Sequence, residues 1–184
     1  MPVLPSSADD GGFTLIEVMV AIAVLGTGVL ALVGVFAIGV QRVSTSTPML
    51  IAREKAREAV ESVHAARDTG ELSWATVQNV ASGGVFLGGA QPLKMPGNDG
   101  LVNTADDGAV ETMRNPGADG ILNTADDEVV ALNDFTREIA ITPLTFDASA
   151  AINPNLRQVT VNVRYKTYNI WRTYTLVTYV SSYS

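Results

Sequence analysis

The chain contains no cysteine and a single histidine, His64, among its 184 residues. The first absence excludes disulfides, zinc thiolate sites and thiol nucleophiles. It leaves the compartment open, because oxidising surroundings permit disulfides without requiring them. Stability outside the cytoplasm therefore needs another source. With one imidazole, no thiol, no nucleophile elbow and no phosphate-binding glycine loop, there is little from which to build a catalytic site, and no enzymatic activity is expected. His64 falls on a helix flank and reads as a surface or packing residue. Basic residues are also scarce, 12 Lys and Arg against 19 Asp and Glu. Between residues 96 and 128 eight acidic side chains stand against Arg114 alone, which accounts for the whole net charge of -7. An acidic insert on a neutral scaffold argues against binding nucleic-acid phosphates and for binding cations.

What the chain has in excess is one apolar run. Residues 13–40 carry a single charge, Glu17, and hydroxyls only at Thr14 and Thr27. That length clears the threshold of about 18 residues for a membrane-spanning helix. A cleaved secretory signal begins basic, continues with a short apolar stretch and ends in small residues. Here the first twelve residues, MPVLPSSADDGG, are polar and acidic, and the apolar run starts abruptly behind them. Any cleavage falls before that run, which then stays with the mature chain.

The string Gly12-Phe13-Thr14-Leu15-Ile16-Glu17-Val18 resembles the prepilin cleavage and methylation motif of type IV pilins and type II secretion pseudopilins. The resemblance implies that a membrane-embedded prepilin peptidase cuts after Gly12 and N-methylates Phe13, and that Glu17 aids assembly with other pilin subunits. It places the chain in a bacterial inner membrane before assembly and in an extracellular or periplasmic filament afterwards. The physics of Glu17 agrees. A carboxylate in an apolar transmembrane helix costs about 2.5 to 3.5 kcal/mol near the bilayer centre unless it is paired, and a neighbouring subunit's N-terminal ammonium would pair it. Two features depart from the family pattern. The leader has no Lys or Arg and carries Asp9 and Asp10, and Gly26, Gly28, Gly34 and Gly39 stand where many pilins have a helix-kinking proline. Glycines weaken a helix by about 1 kcal/mol each relative to Ala, which permits local melting in a filament.

Beyond residue 42, Ser44-Thr45-Ser46-Thr47-Pro48 joins poor helix formers to a proline and predicts a kink or short break. Helical periodicity then resumes. Ala52, Ala56, Ala59, Val60, Val63 and Ala66 recur at spacings of three and four, opposite Arg53, Glu54, Arg57, Glu58 and Glu61. An end is expected near Asp68-Thr69-Gly70. A helix over 13–68 would reach roughly 80 Å, against roughly 30 Å for a hydrocarbon core, so its second half must pack on something else.

Residues 96–107 and 116–127 form a repeat spaced by 20 positions. Each copy has Asp-Gly, an Asn three residues after that Gly, and an Asp-Asp pair. Calcium takes six to eight oxygens from carboxylates, amides and backbone carbonyls, and an interposed glycine lets a short loop curl around it. The candidate ligands are Asp99, Asn103, Asp106 and Asp107 in the first copy, and Asp119, Asn123, Asp126 and Asp127 in the second. The pattern is not that of an EF-hand, because no Asp-x-Asp-x-Asp-Gly string with a terminal Glu occurs. The competing interpretation is a duplicated, solvated loop in which Asp, Gly and Asn only make turns and caps. A bound calcium would staple the head in place of the missing disulfides.

Residues 135–142, 158–165 and 172–180 alternate apolar and polar side chains, strictly so in the middle segment, and predict at least three antiparallel strands. Residues 153–155 and 168–170 read as their connections. The expected fold is α+β and type IV pilin-like, with the apolar half of a long N-terminal helix projecting and the other half packed on the sheet. Its expected parts are a leader over 1–12, a transmembrane and filament-core helix over 13–42, an amphipathic half over 43–70, and a head over 71–184. The head holds the acidic loops at 96–128 and the sheet at 135–181. The function expected from the resemblance is that of a minor pilin in a type IV pilus-like filament, with a pair of calcium-binding loops. A pseudopilin of type II secretion and a calcium-dependent adhesin at a filament tip are the alternatives.

Overall fold

A computed structural model describes residues 12–146 and 151–183, with the side chains of 41–46 left out. The leader, apart from Gly12, lies outside the described residues. The chain divides into two compact units, Met1–Ser44 and Thr45–Ser184.

Among the described residues one α-helix, α1, spans Leu15–Asp68. In the first unit every described residue from 12 to 40 is exposed. Leu15–Val40 has a mean hydropathy of 2.6, long and apolar enough to cross a membrane. The hydroxyl of Thr27 donates back to the carbonyl of Val24 at 2.9 Å, so this polar group is satisfied within the helix. The short break expected at 44–48 is corrected by the structure, since α1 is helical through Pro48. A proline withholds one N–H and crowds the carbonyl four residues earlier. That is one bond in a helix of 54 residues.

In the second unit the small residues of α1 set the packing. Ala52, Ala56, Ala59, Val63 and Ala66 form one buried stripe within the core that also holds Ile139, Val159, Val161 and Val163. Alanines let the helix axis approach closely, and Arg57 and Glu61 pair on the solvent side at 2.8 Å. The helix stops where expected. Gly70 takes a left-handed conformation, φ 79°, and the N–H of Leu72 reaches back to the carbonyl of Ala66 at 2.9 Å.

Among the described residues six strands follow: β1 (Gln91–Pro92), β2 (Thr112–Asn115), β3 (Glu128–Ala131), β4 (Phe135–Thr145), β5 (Ile152–Thr167) and β6 (Ile170–Ser181). The main sheet is antiparallel with order β1-β4-β5-β6, one strand more than the minimum expected, and β2 and β3 form a separate hairpin. Phe135, Ile139 and Ile141 of β4 and Val159, Val161, Val163 and Tyr165 of β5 face the core. The β5–β6 hairpin turns on Tyr168 and Asn169, both with positive φ, 48° and 65°, as a two-residue turn matched to strand twist requires.

Residues 153–155 are not a connection but lie inside β5. The pairing with β4 shifts between Pro143 and Thr145, so Pro154 falls where no ladder N–H is demanded. The turn-like signal has a local cause, because Asn153 Oδ1 accepts from the Asn155 N–H at 2.9 Å.

The glycine-rich stretch before β1 is ordered around Asn79. Its Nδ2 donates to the carbonyl of Ile139 at 2.7 Å and its Oδ1 accepts from the N–H of Ile141 at 2.8 Å, so one amide substitutes for a pairing strand along the edge of β4. Gly84 is obligatory there, because a Cβ would lie 2.0 Å from the carbonyl oxygen of Gln78.

Candidate functional site

Two regions carry chemistry, and the first is the start of α1. Glu17 Oε2 accepts from both the N–H and the hydroxyl of Thr14 at 3.3 Å, while the Thr14 hydroxyl accepts from the Glu17 N–H at 3.3 Å. This is a reciprocal capping box, with Thr14 at the N-cap and Glu17 three residues on. Thr14 was absent from the sequence-derived site residues, although a Thr-x-x-Glu string ahead of an apolar run is its signature. Phe13, Glu17, Val18, Ala21, Ile22 and Leu25 line one shallow, almost wholly apolar groove. The Glu17 carboxylate in these surroundings satisfies part of its hydrogen-bonding need on its own helix, through Thr14.

The second region is the repeat, whose copies fold alike. Asp99 Oδ1 accepts from the N–H of Leu101, and Asp119 Oδ1 from that of Ile121, both at 2.8 Å. Gly100 and Gly120 have φ of 69° and 70°, and Asn103 and Asn123 of 62° and 69°. Asp107 Oδ2 accepts from the Asn103 N–H at 2.9 Å, and Asp127 Oδ2 from the Asn123 N–H at 2.6 Å. The hydroxyls of Thr104 and Thr124 donate to Oδ1 of Asp106 and Asp126 at 2.8 and 2.7 Å. A Cβ at Gly97 would stand 2.2 Å from Asp106 Oδ2, and one at Gly117 the same distance from Asp126 Oδ2. Glycine is therefore required in both copies to let the carboxylate fold over the backbone. The threonine hydroxyls, helped by backbone N–H groups, hold Asp106 and Asp126 below the ordinary carboxylate pKa.

The copies differ in what surrounds them. Asn103 is fully buried, and its amide is tied to Arg137 rather than turned toward the loop's own carboxylates. Asn123 is exposed. Asp127 is paired with Arg114 at 3.7 Å. Among the described residues, no three His, Cys, Asp or Glu side chains converge on a point that could hold a metal ion.

Arg137 lies behind the first loop, fully buried at an inward-facing position of β4. Burial lowers its pKa, opposed by the charges of Glu58, Glu111 and Asp107. Nearby, the Lys55 ammonium contacts both Glu111 and Glu58. Burial works against that ammonium, and the bonds from the two carboxylates outweigh it, so the Lys55 pKa is raised. Alternation along 135–142 draws attention to Phe135, Ile139 and Ile141 and passes over the charged residue between them. His64 Nε2 lies 3.4 Å from Thr178 Oγ1, a packing position.

A model of the prokaryotic N-terminal methylation motif matches residues 8–33. Together with the apolar helix, that match supports a type IV pilin-like protein. The motif implies processing by prepilin peptidase and assembly with other pilin-like subunits, and with the apolar helix it supports membrane anchoring before assembly. The long helix and four-stranded antiparallel sheet are consistent with the same fold. Neither the curated proteins nor the solved structures contain a match to the chain.

Proposed function

We propose that the chain is a minor pilin, a structural subunit of a type IV pilus-like filament that is cut between Gly12 and Phe13 and methylated on Phe13. The observation that carries this is the motif at 8–33 on an apolar helix start, where Glu17 is the single acidic side chain among exposed apolar ones. Glu17 would pair with the N-terminal ammonium of a neighbouring subunit. The test is mass spectrometry of the chain from cells with active prepilin peptidase. The expected product begins at Phe13 and carries one added methyl group. An intact leader overturns the proposal.

We further propose that calcium is held by the acidic repeat. What supports this is one loop geometry built twice, each copy with the first carboxylate of its Asp-Asp pair folded over a glycine and the second on the asparagine N–H. The second copy is the better candidate, since the Asn103 amide of the first is engaged with a guanidinium. Calcium ions would supply positive charge between carboxylates and draw in backbone carbonyls as further ligands. Calorimetric titration of the detergent-solubilised chain with calcium checks this. Saturable binding that weakens in Asp126→Asn more than in Asp106→Asn is expected. Absence of binding, with unchanged melting in both variants, overturns it.

A further inference from the structure

The two acidic loops carry an apolar pair at the same point of the repeat, and the structure treats the pairs oppositely. Leu101 and Val102 of the first copy are 3% and 1% exposed and belong to the core. Ile121 and Leu122 of the second copy are 60% and 52% exposed, at the tip of the β2–β3 hairpin. The fold thus demonstrates that this loop can bury its apolar pair, and presents one copy with the pair outward. Around it stand the exposed carboxylates of Asp119, Asp126 and Glu128.

A surface of opposite character lies on the outer face of the main sheet. Val159, Val161, Val163 and Tyr165 of β5 point inward, so Arg164 and Lys166 point outward, and Lys166 is registered opposite Trp171 of β6. The Arg164 guanidinium sits 5.3 Å from the Trp171 ring centroid, and the ring is 46% exposed. Among the described residues neither Arg164 nor Lys166 forms an ion pair, and β6 is the sheet's edge strand. On that face Glu138 accepts from Asn162 Nδ2 at 3.5 Å.

We infer that the loop at 116–127 of one copy docks on the Arg164–Lys166–Trp171 face of a second copy of this chain, Ile121 and Leu122 against the indole and the acidic rim against the two cations. The inference rests on the filament reading above. Charge complementarity selects this occupant, since the acidic apolar loop and the basic aromatic face are both presented by one chain. The two patches differ, so the contact is heterologous and propagates from copy to copy instead of closing a dimer.

The absence of cysteine allows a clean test by disulfide trapping in the full-length chain in detergent. Ala125→Cys copies are mixed with Thr173→Cys copies and oxidised mildly; Ala125→Cys with Thr142→Cys, on another strand of the same face, is the control. Mixed dimers are expected from the first pair and not from the control. They should be lost when Ile121→Ser and Leu122→Ser, or Arg164→Glu and Lys166→Glu, are added. Equal trapping in the control, or trapping indifferent to both sets of variants, overturns the contact. Cleavage after Gly12 is read separately on the same samples. A chain cut there that gives no specific trapping refutes the contact alone, and an uncut chain refutes the filament reading whatever the trapping result.

Discussion

Asn103 and Arg137 clasp each other through two hydrogen bonds of 2.9 Å, the Asn103 Nδ2 donating to the Arg137 carbonyl and the Arg137 Nε donating to the Asn103 Oδ1. Both residues are fully buried. This clasp fastens the first acidic loop to β4 and gives one partner, through Nε, to a guanidinium that has lost its water, while Nη1 stays buried without a hydrogen bond.

Substituting the two repeat asparagines should therefore have unequal effects. Asn103→Ala and Asn123→Ala both place alanine in a left-handed conformation, which costs about 1 to 2 kcal/mol in either loop. Only Asn103→Ala also strips a buried cation of a partner, for a further loss of roughly 2 kcal/mol. Denaturant unfolding of the full chain in detergent measures the gap. Equal losses would show that the clasp contributes nothing net.

Lys55 supplies a pH dependence of known sign. Its folded pKa is raised by Glu111 and Glu58 against the effect of burial. The stability it contributes is present in full below the ordinary lysine pKa and is lost as pH rises through the higher folded value. Lys55→Met should cost about 1 to 2 kcal/mol at neutral pH, since it leaves Glu111 buried without its cation. The variant should then lose less than the parent on the alkaline side. Melting curves from neutral to strongly alkaline pH check both limbs.

The acidic loops respond in the opposite direction. Asp106 and Asp126 have depressed pKa values, chiefly through the hydroxyls of Thr104 and Thr124. Their contribution is present above the unfolded carboxylate pKa and lost as pH falls through the lower folded values. Thr104→Val should raise the Asp106 midpoint and leave Asp126 unmoved, and Thr124→Val should do the reverse. Carboxyl-carbon NMR titration resolves the two, and a joint shift in either variant would contradict independent loops.

How much of this could be read in the sequence depended on how local each signal is. The string 12–18 is contiguous, and the alternation of 158–165 follows from one face of β5 being buried, so both were legible. Arg137 was not, because its charge argues for the solvent face although alternation with Phe135 and Ile139 turns it inward, and the groups that make that placement tolerable, such as the Asn103 amide 34 positions away, are distant in sequence. Pro154 misled for the same reason, since the register shift that accommodates it belongs to the pairing of β4 with β5. The repeat was legible as a repeat. Its asymmetry was not, because Leu101–Val102 and Ile121–Leu122 are nearly the same two residues, and which pair is buried is decided by what the rest of the chain places over them.

The capping box separates two roles that Glu17 would otherwise confound. Thr14→Val removes the hydroxyl that both donates to Glu17 Oε2 and accepts from the Glu17 N–H, a loss of about 0.5 to 2 kcal/mol at the start of α1. Amide exchange at Glu17 should accelerate in that variant, with the carboxyl group itself retained. Glu17→Gln does the converse, because glutamine can also close a capping box from the third helical position but carries no charge. If Glu17 serves assembly through charge, Glu17→Gln should abolish filament incorporation with amide exchange near the parent's rate, and Thr14→Val should retain incorporation with faster exchange. Should the two variants lose incorporation in proportion to their exchange rates, the cap and not the charge would be what a neighbouring subunit requires.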